Sequence, residues 1–194
     1  SFFSFEDLRL FFSLVLIAIS CIIMGAGIPT TATYIILVAV AAPALAQLGI
    51  EPLVAHFFVF YYGVLADITP PVALAAYAAS GIAKSNPFKT GNTAFRLGIA
   101  KALVPFVFVY SPSLLLITGE FQTNQLMITL IGTLIGIALI GIAFTGYWFR
   151  PLTKYEQILI GIGSLFFVAP GTGSMIIGLL IILPMLFLQF YKKN

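Results

Sequence analysis

The sequence predicts an all-α polytopic membrane protein that contains a re-entrant helical hairpin and a broken transmembrane helix. Hydrophobic residues make up 61% of the chain and charged residues 8%, and the mean hydropathy is +1.13. Soluble domains carry about 25% charged residues. Long apolar runs suited to membrane helices recur along the chain. Two of these runs are interrupted by short polar segments that contain proline, Gly25–Thr33 and Ala66–Val72.

The first interruption separates two apolar runs, Leu8–Met24 and Tyr34–Leu48. Pro29 lacks an N–H and its ring clashes with the preceding turn, while the glycines favour non-helical conformations, so a helix cannot continue through this segment. The second run is short for a complete crossing. We therefore expect a re-entrant hairpin whose tip is Gly25–Thr33. The alternative is one long kinked span that includes both arms.

The second interruption divides a broken helix. Leu53–Leu65 and Val72–Ile82 are its two halves, and Ala66–Pro71 lies between them. Backbone groups freed at membrane depth are tolerated only inside protein or beside a wet cavity. A pair of such interruptions therefore indicates the binding site of a secondary transporter. The segment Lys84–Lys101 follows, and its mixture of basic and apolar residues predicts an amphipathic helix at the membrane interface.

The rest of the chain predicts two spans and a second hairpin. The spans are Ala102–Ile117 and Leu126–Phe149. Gly132 and Gly136 lie one turn apart on the second span, which indicates close helix packing, although glycine enrichment of membrane helices is an equal alternative. Ile158–Ala169 is too short to cross at ~1.5 Å per residue. We expect it to dip into the membrane and return as a hairpin with Ser174–Tyr191, which lies beyond Pro170–Gly173; the alternative is that Ile158–Ala169 spans on a tilt.

The positions of basic residues predict the orientation. Cytoplasmic loops are enriched in lysine and arginine, and the loops around Glu51 and Glu120, which are poor in both, should face outward. The predicted cytoplasmic groups are Lys84–Lys101, Arg150 with Lys154, and Lys192 with Lys193. The chain divides into four predicted parts: 1–83, the hairpin and broken helix; 84–101, the amphipathic helix; 102–149, two spans; and 150–194, the C-terminal hairpin.

Several classes of function are disfavoured by the residues present. Asp67 is the only carboxylate within a hydrophobic run, whereas an intramembrane aspartyl protease needs two. His56 is the single histidine and has no Gly-x-Ser-x-Gly partner, and no Walker motif occurs. No metal-ligand cluster or nucleic-acid-binding basic face is indicated, and Cys21 alone forms no disulfide. We expect no catalytic residues. Because the chain begins at Ser1 without an initiator methionine, we interpret it as part of a longer polypeptide.

Two motifs resemble those of the tripartite ATP-independent periplasmic (TRAP) transporters. One is Gly-Ala-Gly-Ile-Pro-Thr-Thr-Ala-Thr-Tyr at Gly25–Tyr34. The other is His-Phe-Phe-Val-Phe-Tyr-Tyr at His56–Tyr62, which leads to Asp-Ile-Thr-Pro-Pro-Val at Asp67–Val72. The resemblance is closest to the TAXI-type fused permeases, whose tail is similar to Arg150–Thr153 and Ala169–Gly171. It covers nearly the whole chain.

The resemblance implies a fold, a function and a set of partners. The chain would be the C-terminal part of the large membrane subunit, with the second of two inverted repeats of an elevator-type carrier. It would couple Na⁺ entry to uptake of organic acids delivered by a periplasmic binding protein, with the first repeat supplied by the rest of the permease. The expected location is the cytoplasmic (inner) membrane of a bacterium or archaeon. An ion channel or a non-transporting assembly subunit is the alternative.

The chemistry of the two interruptions agrees with Na⁺ binding. Na⁺ prefers oxygen ligands, and no cofactor is expected besides this coupling ion. Carbonyl and hydroxyl oxygens at each interruption are the candidates, and Asp67 adds a carboxylate, unless it is only a solvated N-cap of the following half helix. The threonines could also merely cap helices. The candidate ion-binding residues are Gly25, Ala26, Gly27, Thr30, Thr31, Ala66, Asp67 and Thr69.

The half helices that begin after Pro29 and Pro71 predict the substrate site. Their free N–H groups and positive dipole ends attract carboxylates. The candidate substrate-binding residues are Pro29, Thr30, Pro70, Pro71 and Val72.

Overall fold

The computed structural model describes residues 5–116, 123–169 and 171–191, with side chains from residue 8 onward. The protein divides into two compact units, Ser1–Phe95 and Arg96–Asn194. The predicted division into four parts stays a prediction. The described helices are α1 (Phe5–Gly25), α2 (Thr30–Gln47), α3 (Pro52–Ala66), α4 (Leu74–Ile82), α5 (Pro87–Gly98), α6 (Val104–Tyr110), α7 (Thr123–Thr145), α8 (Lys154–Val168) and α9 (Thr172–Tyr191), with 3₁₀ helices at Ile99–Leu103 and Pro112–Leu115.

The predicted fold class is confirmed. The part of the chain that the structure describes has no β-strand and only one isolated bridge, between Tyr147 and Pro151. Five of its helical segments are long and apolar enough to cross a membrane, as expected for a multi-pass protein. These segments are Leu8–Gly25, Thr30–Gln47, Pro87–Tyr110, Thr123–Thr145 and Thr172–Tyr191.

Helices α1, α2 and α3 pack on one another in the first unit. Small residues allow α3 to approach both neighbours closely. A Cβ built on Gly63 would lie 3.3 Å from Thr33 Cγ2, and one built on Gly25 would lie 2.9 Å from Ala66 Cβ. Phe58 and Leu37 are fully buried in this packing, and Leu37 Cδ1 lies 3.7 Å from the Cβ position of Gly63. The ends of α1 and α3 and the start of α2 are thereby held together.

The first hairpin differs from its prediction in the length of one arm. Helix α2 begins at Thr30, directly after Pro29, and not at Tyr34. Its 18 residues are long and apolar enough to cross a membrane, so the inference that this arm is too short for a crossing was wrong. Pro29 has an extended backbone and lacks an N–H, so the helix can begin at the next residue, Thr30. The re-entrant arrangement stays a prediction.

The broken helix has the predicted halves with a longer break. Helix α3 ends at Ala66, and α4 begins at Leu74 and not at Val72. Pro70 and Pro71 supply no N–H for a helical turn, and Ala73 has a left-handed φ of 37°. A regular helix can therefore start only after Ala73.

The boundaries of the next two predicted segments need correction. Residues in α5, the following 3₁₀ helix and α6 form one helical segment, Pro87–Tyr110, that is long enough to cross a membrane. The sequence placed a span at Ala102–Ile117 after a separate interfacial helix. The regular α-helix does end near the predicted separation, at Gly98, and the 3₁₀ helix Ile99–Leu103 joins it to α6, so an interfacial position for α5 stays a prediction. Pro112, two residues after Tyr110, prevents α6 from continuing. Ile117 lies outside the described residues.

Helices α7, α8 and α9 pack in sequence within the second unit. The predicted close packing at Gly132 and Gly136 is confirmed: Cβ atoms there would lie 2.7 Å from the Phe167 carbonyl oxygen and 2.5 Å from Val168 Cγ2. The span ends at Thr145, since Gly146 takes a left-handed φ of 73°. Helices α8 and α9 pack against each other as a hairpin. Pro170, Lys192 and Lys193 lie outside the described residues.

Helix α8 begins at Lys154, four residues before the predicted start, because its N-terminus is capped. The Thr153 hydroxyl accepts from the Glu156 N–H, and the Glu156 carboxylate accepts from the Thr153 N–H at 2.7 Å. Arg150 donates to both carboxylate oxygens of Glu156, at 2.5 and 3.3 Å. The capped turn thus fixes the connection from α7 to α8.

Substitution of Gly136 by alanine is expected to destabilise the second unit. The new Cβ would meet Val168 Cγ2 at 2.5 Å and the Ser164 carbonyl oxygen at 3.1 Å, and such overpacking costs roughly 1–3 kcal/mol. Gly141→Ala is the control, since nothing lies within 4 Å of its Cβ position. Thermal unfolding in detergent should show a lower Tm for Gly136→Ala only. Equal Tm values would contradict the packing.

Replacement of Glu156 by glutamine tests the capped turn. Burial raises the pKa of the Glu156 carboxyl, but hydrogen bonds from Arg150 and Thr153 and the Arg150 charge outweigh burial and lower it to about 2 from 4.5. The ionised form is favoured in the folded protein, so its contribution is complete above pH 4.5 and is lost as the pH falls towards 2.

We expect Glu156→Gln to lower the free energy of unfolding by about 1.5–3 kcal/mol at neutral pH, the range for hydrogen bonds to charged groups. Unfolding in detergent across a pH series measures this difference. Lys154→Gln, an exposed change of one charge in the same turn, should have a smaller effect. A Glu156→Gln deficit that persists undiminished at the lowest pH would refute the electrostatic explanation.

Candidate functional site

The structure brings the two interruptions together. The Thr30 hydroxyl, at the start of α2, donates to Asp67 Oδ2 at 2.5 Å, at the end of α3. A Cβ built on Gly27 would lie 3.5 Å from Val72 Cγ1. The loops between α1 and α2 and between α3 and α4 therefore form one polar site, which we call the paired-break site (residues 25–31 and 66–73).

The first loop leaves backbone oxygens available. Gly27 has a left-handed φ of 86°, which a residue with a side chain adopts only with strain. The Thr33 hydroxyl donates to the Ile28 carbonyl at 3.1 Å, and the Thr33 N–H donates to the Pro29 carbonyl at 2.9 Å. Among the described residues, no backbone N–H outside a regular helix donates to the Ala26 carbonyl. That oxygen and the Gly27 carbonyl can accept another partner.

The second loop is held by side chain and backbone together. The Thr69 hydroxyl donates to the Leu65 carbonyl at 2.7 Å and so caps the end of α3. The Ala75 N–H donates to the Asp67 carbonyl at 3.1 Å, and the Ala73 N–H donates to the Thr69 carbonyl at 3.1 Å. The Pro70–Pro71 peptide bond is cis. These contacts fix the backbone that carries Asp67.

Asp67 does not cap the following half helix. It stands at the C-terminal end of α3, and the N-terminal flanking residue of α4 is Ala73, which has no side-chain cap. The Asp67 carboxylate is half-buried and faces Thr30. Within the described residues, Asp67 forms no ion pair, whereas Glu156 pairs with Arg150. A carboxylate in this position is suited to a cation.

The remaining predicted site residues differ in how deeply they are buried. Gly25 and Ala66 are buried and pack against each other, so they contribute close packing and backbone atoms. Thr31 is exposed on the first turn of α2, next to Thr30. The predicted substrate residues also differ in exposure: Pro29 and Pro71 are exposed, while Pro70 and Val72 are half-buried. The N-terminus of α4 lies at Leu74, so Pro71 does not directly precede a helix.

A second polar link between α2 and α3 was not predicted. The Tyr34 hydroxyl lies 2.8 Å from His56 Nδ1, and the Tyr34 ring makes an edge contact with Phe60 at 5.9 Å between centroids. His56 is thus a half-buried partner of α2. The signal available in the sequence was the spacing of Thr30 and Tyr34, which places both on one face of α2.

The chemistry of the site suits a hard cation more than a transition metal. No group of three or more histidine, cysteine, aspartate or glutamate side chains that could hold a metal ion occurs among the described residues. The paired-break site offers one carboxylate, threonine hydroxyls and backbone carbonyls. Oxygen sets of this kind suit hard cations.

Comparison with known proteins places the chain in a family of transporters, which is not a family of enzymes. No curated protein and no solved structure matches the chain significantly. The family model described as "Tripartite ATP-independent periplasmic transporter, DctM component" matches residues 4–123. The match includes both loops of the paired-break site and covers more than half of the chain. This chain belongs to the DctM family, the membrane component of TRAP transporters.

Proposed function

We propose that this chain forms part of a Na⁺-coupled TRAP permease that takes up organic acids by an elevator-type movement. The acids would be delivered by a periplasmic binding protein. The observation that carries the proposal is the hydrogen bond from Thr30 to Asp67, which joins the two interrupted helices at one polar site. Family membership supports a tripartite system with further components.

The coupling ion is assigned to the paired-break site on the basis of its oxygens. Asp67 supplies a negative charge, and Thr30, Thr69 and the Ala26 and Gly27 carbonyls supply neutral oxygens. A hydroxyl that donates its proton still has lone pairs for a cation. The Asp67 charge would be offset by the bound ion, which lowers the cost of a carboxylate in an apolar unit.

The substrate is assigned to the N-terminus of α2. Thr30 is its first residue, and Pro29 precedes it without a side-chain cap, so the first N–H groups of the helix remain for a ligand. The helix dipole at this end favours an anion. A carboxylate there would lie beside a cation bound by Asp67, and each would favour binding of the other.

The sequence motifs support a more specific proposal for the type of permease and for the position of this chain within it. The glycine–proline motif and the tail motif support a TAXI-type fused permease, in which this chain is the C-terminal part with the second inverted repeat. The rest of the permease would supply the first repeat. The proposed location is the cytoplasmic membrane of a bacterium or archaeon, with the basic groups on the cytoplasmic side.

Uptake by the complete permease is expected to depend on Na⁺. The permease reconstituted in liposomes with its binding protein would be supplied with labelled organic acids in an inward Na⁺ gradient. Replacement of Na⁺ by K⁺ at equal ionic strength should abolish accumulation, because the larger ion fits the same oxygens less well. Undiminished uptake in K⁺ would refute Na⁺ coupling.

Substitutions in the paired-break site are expected to weaken Na⁺ dependence in a graded way. Asp67→Asn should raise the Na⁺ concentration for half-maximal uptake at least about five-fold, because attraction between unit charges at ~4 Å is about 1 kcal/mol in bulk water and about 4 kcal/mol near a protein surface. Thr30→Val and Thr69→Ala should raise it about two- to five-fold by loss of one neutral oxygen.

Thr93→Val serves as the matched control, since the Thr93 hydroxyl donates only to the Lys89 carbonyl of its own helix at 2.9 Å. Its half-maximal Na⁺ concentration should equal that of the parent. If Asp67→Asn expresses normally and keeps the parent's Na⁺ and pH dependence, Asp67 is structural and the ion site does not include its carboxylate.

A further inference from the structure

Tyr77 connects α4 back to the loop that precedes it. The Tyr77 hydroxyl donates to the Pro71 carbonyl at 2.6 Å. Pro71 lies in the second loop of the paired-break site, where two successive prolines leave few N–H groups to bond the chain to itself. The tyrosine hydroxyl therefore supplies a donor that the local backbone lacks, and it restrains the loop from the side of α4.

The ring of Tyr77 is held in turn by α5. Gly91 is the one buried residue among the described residues of α5, and a Cβ built on it would lie 2.9 Å from Tyr77 Cε1. The same Cβ would lie 3.5 Å from Ala73 Cβ, at the end of the loop. The Phe88 ring also contacts the Tyr77 ring, with centroids 6.0 Å apart. Only glycine leaves room for this approach.

The restrained loop carries the groups that face the first interruption. The Ala73 N–H bonds the Thr69 carbonyl and the Ala75 N–H bonds the Asp67 carbonyl, each at 3.1 Å. Ala73 itself has a left-handed φ of 37°, which a residue with a Cβ adopts only when its surroundings impose it. The contact between Gly91 and Ala73 and the Tyr77 hydrogen bond to Pro71 are two of the contacts that hold this part of the chain.

We infer that Tyr77 is a positioning residue for the second loop of the paired-break site, and that α5 holds it in place through Gly91. The loop geometry, and with it the placement of Asp67 opposite Thr30, depends on the Tyr77 hydrogen bond and on the contact of the Tyr77 ring with Gly91. The effect on Na⁺ affinity rests on the proposed function. The effect on the loop itself does not.

The test uses the complete permease in lipid nanodiscs and the conservative variant Tyr77→Phe, which keeps the ring against α5 and removes the hydrogen bond. Hydrogen–deuterium exchange resolved by residue should become about five-fold faster at the Ala73 and Ala75 amides, as loss of one net hydrogen bond implies. Exchange at Thr33, on α2, is the internal reference and should not change. The half-maximal Na⁺ concentration for uptake should rise several-fold.

Gly91→Ala tests the contribution of α5. The added Cβ would displace the Tyr77 ring, so the Ala73 and Ala75 amides should exchange faster, as in Tyr77→Phe. Gly81→Ala is the matched control, because it makes the same change in a helix where nothing lies within 4 Å. In a Tyr77→Ala background, Gly91→Ala should add no further increase, since the ring it strikes is absent.

The outcomes separate the two proposals. Unchanged exchange at Ala73 and Ala75 in Tyr77→Phe overturns the positioning role, and so does an increase that extends equally to Thr33. An additive effect of Gly91→Ala in the Tyr77→Ala background overturns the part assigned to α5. Faster exchange confined to the loop, in a permease whose uptake proves independent of Na⁺, supports the positioning role and refutes the proposed coupling.

Discussion

The first unit depends on hydrogen-bond partners for the backbone groups that the two helix interruptions leave free. In an apolar segment each freed N–H or C=O needs a partner within the protein. The Thr33 hydroxyl bonds the Ile28 carbonyl and the Thr69 hydroxyl bonds the Leu65 carbonyl. The threonines of the two interruptions therefore stabilise the ends of helices, and this role coexists with the oxygens that remain for a ligand.

Close approach of the helices converts two separate interruptions into one site. Gly25 packs on Ala66, and Gly63 packs on Thr33, with distances that leave no room for larger side chains. Because these contacts flank both loops, the Thr30 hydroxyl comes within hydrogen-bond distance of the Asp67 carboxylate. Packing of small residues thus determines a polar contact, and the polar contact in turn restrains the two loops.

The second unit uses the same devices for a different purpose. Glycines on α7 and α8 allow close helix contacts at Phe167 and Ile182, and the charged pair Arg150–Glu156 orders the turn that precedes α8. No interrupted helix of the paired-break kind faces these contacts in the described part of α7–α9. Among the described residues, the paired-break site lies wholly within the first unit.

Composition and proline positions were enough to predict the all-α membrane class and the two interruptions, because each depends on local backbone chemistry. Close packing at Gly136 was one of two equal alternatives until the contacts with α8 decided it. Helix starts at Thr30, Leu74 and Lys154 were misplaced, since Pro29, a left-handed Ala73 and the Thr153–Glu156 cap decide them. The partners of Asp67, His56 and Tyr77 are distant in sequence or set by packing. Only the tertiary structure decided them, because side-chain contacts between helices depend on helix rotation and separation, which one sequence does not encode locally.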